Sequence, residues 1–491
     1  MVFSSPIFMF AFLPIVFIVY FLLNKQRLFK AGKFWLVLAS FFFYGYWSVA
    51  YIPLMLGSII FNYIIGSECS LKTKHSTKKR KIILAFGIIV NILVLGHYKY
   101  SNFFIDNLNQ FVGTHFQLAE IILPLGISFY TFTQIAFLVD SYKGKATEYD
   151  FVNYTLFVTF FPHLIAGPIL HHKEMMSQFA SKWNLTIKYK NILLGLMIFG
   201  IGLFKKVALA DMFAEWANLG FLPGYIHNFY SAWVTSLSYT FQLYFDFSGY
   251  CDMAIGAALL FNIWLPINFF SPYKSLDIQD FWRRWHITLG RYLRDYIYIP
   301  LGGNRAGELR TYFNLALTFV IGGLWHGASW MFIIWGAMHG AALVIHRFWS
   351  KTGWSLPKPV AWFITFMFVN IAWIFFRAHS VEDATRIIST MFNLDSLKAM
   401  DVANVPINNL SMLGVHFDYL YSLLPAGIAG YAGQFFMIVI SFIIMTQKNS
   451  IEIVLQSKIT YKSMISIACL TVIAMYFSLK STSTVFLYFN F

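Results

Sequence analysis

Twelve apolar runs separated by short basic loops constrain this chain of 491 residues more than any other feature. They are Ile7–Leu23, Phe34–Trp47, Tyr51–Ile65, Ile82–Tyr98, Leu118–Val139, Phe151–Leu170, Ile192–Phe204, Phe229–Leu260, Tyr312–Ile345, Val360–Phe376, Phe435–Met445 and Met464–Leu479. A helix that crosses the ~30 Å bilayer core needs ~20 apolar residues. Only helices and closed barrels satisfy every backbone group there. The runs therefore predict an all-α polytopic membrane protein, one membrane-embedded domain over 1–491. Only 12% of the residues are charged, against about 25% in a soluble domain. This excludes a soluble enzyme, a disordered chain, a coiled coil and a secreted disulfide scaffold.

The net charge of +15 sits in the gaps between runs. That is the pattern of cytoplasmic loops and not of a nucleic-acid partner. Lys25, Arg27, Lys30 and Lys33 follow the first run, which places the N-terminus outside. No basic n-region or cleavage site precedes that run, so no removable signal peptide is expected. Lys72–Lys81, Lys173–Lys190 and Arg283–Arg310 also read as cytoplasmic. The 387–433 segment holds one Lys and no Arg and reads as an external loop, with C-terminal helices over 434–491. Phe151–Leu170 has basic residues on both sides, so either it or Leu118–Val139 does not cross simply. Cys69, Cys251 and Cys469 form no C-x-x-C pair, and no disulfide or metal site is expected.

Four segments carry polar residues at membrane depth, where they are expensive and mark function or pairing. Tyr312–Ile345 has 34 residues without Asp, Glu, Lys or Arg. As one helix it would be ~51 Å long, so it bends back, with Gly322-Gly323 and Gly327 as the candidate breaks. Trp325-His326-Gly327 then lies far from both basic ends. His326 either hydrogen-bonds across helices or acts as a general base. Phe281–Arg305 has Trp282, Trp285, Leu289, Tyr292, Tyr296 and Ile299 on one helical stripe. Arg283, Arg284, Arg291, Arg294 and Asp295 lie opposite, and His286 sits at the border. This predicts an interfacial helix, either resting on headgroups or receiving an anionic substrate. Gly302-Gly303-Asn304-Arg305 adds candidate donors. Asp246, Ser248 and Asp252 lie within Phe229–Leu260, where the arginines are candidate partners for the carboxylates. Phe160–His172 holds His163, His171 and His172 without zinc spacing and predicts a broken helix. Leu123–Phe132 predicts another kinked helix. His379 to Asp383 matches an H-x-x-x-D pattern, but Ser380 with Asp383 predicts a helix cap.

FWRRWHITLGRYLRDYIYIPLGGNR, GGLWHGASWMFIIWGAMHG, QLYFDFSGYCDMAIG, LPLGISFYTF and FPHLIAGPIL resemble the membrane-bound O-acyltransferase (MBOAT) superfamily. The likeness is strongest to its bacterial branch containing the membrane subunit of alginate O-acetylation. It runs from the first residues to about Arg377, with a catalytic region over 240–350. It implies a ring of about eleven spanning helices plus re-entrant and interfacial helices, with a funnel to a central buried histidine. It implies a catalytic His326, as general base on the incoming hydroxyl or as transient acceptor of the acyl group, and a second histidine, His286, that orients it or stabilises the oxyanion. Trp325, Arg283, Arg284, Arg291, Arg294, Asn304, Arg305, Asp246 and Ser248 are candidate substrate or donor contacts.

The resemblance also implies acetyl transfer from a cytosolic donor, acetyl-CoA, across the inner membrane to a cell-surface polysaccharide. Alginate comes first, with peptidoglycan and cellulose behind. A periplasmic or extracellular acetyltransferase partner and membrane lipid would surround it. D-alanyl transfer to teichoic acid from a carrier protein is the nearest alternative. A transporter or flippase, or an assembly scaffold, would need no chemistry at His326.

Overall fold

The computed structural model describes residues 1–117, 121–146, 150–222, 224–225, 228–399, 426–456, 460–480 and 486–487. Residues 400–425 of the expected external loop lie outside them. The described regular structure is helical. Seven helices among the described residues are long and apolar enough to cross a membrane. They are Phe8–Lys25, Val49–Cys69, Thr77–Val112, Tyr189–Gly220, Trp330–Trp349, Lys358–Arg377 and Tyr461–Leu479. The chain divides into two compact units. One comprises Met1–Phe199 with Met253–Ile267, and the other Gly200–Asp252 with Asn268–Leu487.

The first unit includes α1 (Leu13–Lys25), α2 (Phe29–Gly45), α3 (Ile52–Cys69), α4 (Thr77–Val112), α5 (Ile127–Tyr142) and α6 (Phe151–Thr159). Ser76 caps α4, its side chain accepting from Lys79 N, and Gly113 closes that helix in the left-handed region. Asn62 of α3 and Asn91 of α4 exchange side-chain hydrogen bonds at 3.1 and 2.7 Å. An apolar environment keeps such amides paired. The Phe151–Leu170 run is broken as expected. After the nine residues of α6, only Phe161–Leu164 is again helical, and neither piece is long enough to span. His163 bonds through Nε2 to the Phe157 carbonyl at 3.0 Å. Residues 118–120 of the expected Leu118–Val139 run lie outside the described residues; within the rest, α5 begins at Ile127, after Gly126 turns the chain with φ 71°.

In the second unit, α7 (Phe229–Leu260, whose residues up to Asp252 belong here) matches its apolar run end to end. Two short helices follow, α8 (Ile278–Arg284) and α9 (Ile287–Leu293). Next come α10 (Glu308–His326), α11 (Trp330–Trp349), α12 (Lys358–Arg377) and α13 (Val381–Phe392). The C-terminal helices include α14 (Ala426–Thr446) and α15 (Tyr461–Lys480), with the short helix Ser450–Gln456 between them. Ser380 caps α13 by accepting from Asp383 N at 3.1 Å, as its sequence predicts.

The long uncharged run does fold back, but at one of its glycines only. Gly327 is extended and ends α10, and Ser329 caps α11 by accepting from Met331 N. Gly322 and Gly323 do not break the helix; they lie inside α10. A Cβ on Gly323 would meet the Phe332 carbonyl at 2.2 Å, and one on Gly336 would meet the Phe319 carbonyl at 2.4 Å. The two backbones touch there, which is the use small residues have between membrane helices. At the open end of the hairpin Glu308 pairs with Arg347 (3.1 Å) and Lys351 (2.7 Å).

Candidate active site

His326 is the last residue of α10 and is 4% exposed. The tight turn at Gly327 holds its ring among aromatic neighbours. Ring centroids lie 5.0 Å from Trp325, 5.1 Å from Trp335 and 5.2 Å from Phe376. Trp335 in turn stacks on Trp373 at 5.6 Å.

His286 approaches the same place from the α8–α9 segment. The sequence predicts one helix from Phe281 to Arg305, with His286 at the border of its faces. The structure differs. His286 takes φ 43° and ψ 53°, a left-handed conformation that ends α8 and restarts the chain as α9. A non-glycine residue held there is strained, and such strain gathers at functional sites. The break removes His286 from the surface altogether, to 0% exposure. Trp282, Trp285, Leu289 and Tyr292 remain buried on the predicted stripe, whereas Ile299, beyond a π-helical turn at Arg294–Tyr298, is exposed.

The imidazoles of His286 and His326 stand 6.5 Å apart, centroid to centroid, with Trp325 6.3 Å from His286. Even turned toward each other, their nitrogens are beyond the ~2.7–3.2 Å of a direct hydrogen bond. Phe247 of α7 closes on His286 at 4.8 Å. The His286 loop lies outside the spanning helices, and burial pushes its imidazole pKa down to about 3. It is therefore neutral at physiological pH.

Asp246, Ser248 and Asp252 lie on the same helix as Phe247. The arginine pairing expected for the two carboxylates is not what forms. Asp246 Oδ1 binds Lys206 at 2.7 Å, and its Oδ2 accepts from Leu487 N. Lys206 also binds Asp211 at 2.6 Å. Asp252 Oδ2 binds Lys205 at 2.7 Å and accepts from the Ser450 hydroxyl at 2.6 Å. Lysines 205 and 206 continue directly from the helix Tyr189–Phe204 and are the cations that meet the carboxylates. Ser248 is buried, and its hydroxyl finds no partner among the described residues.

Of the basic face, Arg284 Nε donates to both carboxylate oxygens of Asp280 at 2.9 Å and Arg294 binds Asp295 at 2.7 Å. Arg283 reaches Gln279 at 3.2 Å. Arg291 is half-buried, while Asn304 and Arg305 are exposed on a turn. In that turn Gly303 O accepts from Asn314 of α10 at 2.9 Å. Arg283, Arg284 and Arg294 are thus engaged locally.

Two contributors escaped the sequence reasoning. Asn268, in an unremarkable stretch between apolar segments, bonds to His286 Nδ1 through Oδ1 at 3.1 Å. His339 of α11 is fully buried, with Nδ1 accepting from Trp282 Nε1 at 3.1 Å, and its ring lies 4.8 Å from Trp335. The GAMHG segment held a second buried-histidine signal, one α-helical run beyond His326. Asn268 gave none, because its bond spans eighteen residues and two loops.

Comparison with known proteins places these residues in a wider setting. Residues 98–381 match the model of the membrane-bound O-acyltransferase family. The chain is 46% identical to a peptidoglycan O-acetyltransferase of Helicobacter pylori, over 100% of this chain and 98% of that one. It is 40% identical to a probable alginate O-acetylase of Pseudomonas aeruginosa, over 86% of this chain and 80% of that one. It is 30% identical to a teichoic acid D-alanyltransferase of Streptococcus thermophilus, over 48% of this chain and 59% of that one.

Proposed function

The chain belongs to the membrane-bound O-acyltransferase family, and on that premise we propose that this O-acyltransferase moves acetyl groups from acetyl-CoA across the inner membrane for O-acetylation of a surface polysaccharide. Peptidoglycan now stands ahead of alginate as the acceptor polymer. The support is the 46% identity over the whole chain to a protein named for that reaction. The expected sidedness, N-terminus outside and basic loops in the cytoplasm, puts donor and polymer on opposite faces. A soluble acetyltransferase on the outer side would then complete delivery.

The observation that carries the chemistry is the meeting of His326 and His286 at 6.5 Å in a buried aromatic enclosure. His326 acts as general base on the acceptor hydroxyl. The hydroxyl oxygen bonds to the thioester carbonyl carbon, the carbon–sulfur bond breaks, and the proton leaves with the coenzyme A sulfur. The aromatic walls exclude water, which would otherwise hydrolyse the thioester. Asp246 and Ser248 shape the α7 wall, and the basic face from Arg283 to Arg305 draws in the anionic donor.

Wild type and His326→Ala in liposomes, supplied with labelled acetyl-CoA, test the reading. Loss of general-base catalysis is expected to slow coenzyme A release by about 10²–10⁴-fold. Equal rates would overturn the role of His326. The similarity to D-alanyltransferases favours one second reading. Under it, acetyl-CoA gives no release with either protein, and an aminoacyl-carrier protein does.

A further inference from the structure

Asn268 Oδ1 stands at the meeting point of three donors. Thr288 N lies at 3.2 Å, Thr288 Oγ1 at 3.0 Å and His286 Nδ1 at 3.1 Å. The Asn268 backbone carbonyl accepts from Ile287 N at 3.0 Å. On its other side, Nδ2 donates to Cys251 Sγ at 3.4 Å. All these groups are buried or half-buried. A backbone N–H can only donate, so the atom facing Thr288 N must be the amide oxygen and not the nitrogen. An amide oxygen can only accept, so His286 Nδ1 must carry the proton. A neutral imidazole protonated on Nδ1 has its lone pair on Nε2.

We infer that Asn268 is a positioning residue that fixes the tautomer of His286, so that Nε2 of His286 accepts a hydrogen bond and cannot donate one. The inference deepens the proposed function and rests on it for its catalytic meaning. It decides between two roles open to His286. A ring with an acceptor Nε2 can hold the proton side of a hydroxyl. It cannot stabilise an oxyanion, which needs a donor. Outer partners that orient a functional imidazole in this way are typically worth 10–100-fold in metal sites, where the same tautomer logic applies. The left-handed backbone of His286 is part of the same device. It swings Nδ1 back toward the loop at Asn268 instead of along α9.

Solid-state NMR of the full chain in liposomes, labelled with [¹⁵N]histidine, tests the tautomer without reference to substrate. The resonances missing in His286→Gln belong to His286. A proton on Nδ1 and a bare Nε2 are expected, and a proton on Nε2 would overturn the inference. The second arm uses Asn268→Asp and coenzyme A release. A carboxylate accepts the same three bonds but favours the imidazolium, so the acid limb of the pH–rate profile moves up by at least one unit. Of the rings that pack on His286 (Phe247, Phe269, Trp325 and His326), that of His326 is titratable. Cys251 lies behind the asparagine. A His326→Gln background, followed at its residual rate, therefore keeps the shift attributable. Asn268→Leu is expected to lose at least tenfold in rate with the chain still inserted. A profile for Asn268→Asp that overlays wild type, with an unimpaired Asn268→Leu, would overturn the inference. Absence of release in wild type would fault the acetyl-CoA reading alone, and the NMR result would still decide the tautomer.

Discussion

Asp252 and Lys205, 8% and 12% exposed, face each other across 2.7 Å with the Ser450 hydroxyl closing the group. Such a pair adds little net stability over apolar residues of the same size, but breaking it leaves a buried charge alone. Lys205→Met is expected to destabilise the fold by about 3–5 kcal/mol, read as a lower thermal midpoint in detergent. Lys205→Met with Asp252→Leu is expected to recover most of that loss. If the double variant melts as low as the single one, the pair has no such role. The sequence showed that the carboxylates of α7 needed partners, because charges inside an apolar run always do. It could not show which cations. Lys205 and Lys206 follow the Ile192–Phe204 run directly, and only the tertiary fold brings them against Asp246 and Asp252. His326 was legible for a related reason, as a polar residue midway along an uncharged run. Asn268 was not, because its work is a contact between loops with no period.

The α10–α11 hairpin depends on glycines that let two backbones touch. Gly336→Val is expected to force the helices apart, since even its Cβ would lie 2.4 Å from the Phe319 carbonyl. Coenzyme A release should fall at least tenfold, because His326 sits at the hairpin tip. Gly96→Ala in α4 is the control. Nothing lies within 4 Å of the added carbon, and Ala is favoured over Gly in a helix by about 1 kcal/mol. Unchanged release in Gly336→Val would show that the hairpin tolerates separation. The fold-back was predictable from length alone, ~51 Å against a ~30 Å core. Which glycine bends was not. In lipid a glycine serves close approach as often as a break, and only the facing helix distinguishes them. The single interfacial helix expected from Phe281 to Arg305 failed similarly. Its stripe kept helical spacing to Tyr292, and nothing in that periodicity reveals one residue in a left-handed conformation.

At the scale of the whole chain, the apolar runs were legible because bilayer thickness dictates their length. Seven of the described helices meet the length and apolarity that crossing requires. The expected sidedness rests on the basic loops, and it carries its own test. Lys74, exposed in the loop between α3 and α4, is expected on the cytoplasmic side. Lys74→Cys in a Cys469→Ser background should react with an impermeant maleimide only after the inner face is opened. Labelling of intact cells would invert the scheme. The native thiols that remain, Cys69 and Cys251, are buried and should stay silent.

The wall around His326 has an optical consequence. Trp335 and Trp373 stack at 5.6 Å with 19° between their planes, and Trp335 lies 5.1 Å from the His326 ring. Two indoles held so rigidly couple their electronic transitions and should give a near-ultraviolet dichroism band. Loosening of the centre would erase that band while the far-ultraviolet helix signal persists. The aromatic enclosure of His326 thus contains its own chromophore, and its integrity can be followed in light before any substrate is identified.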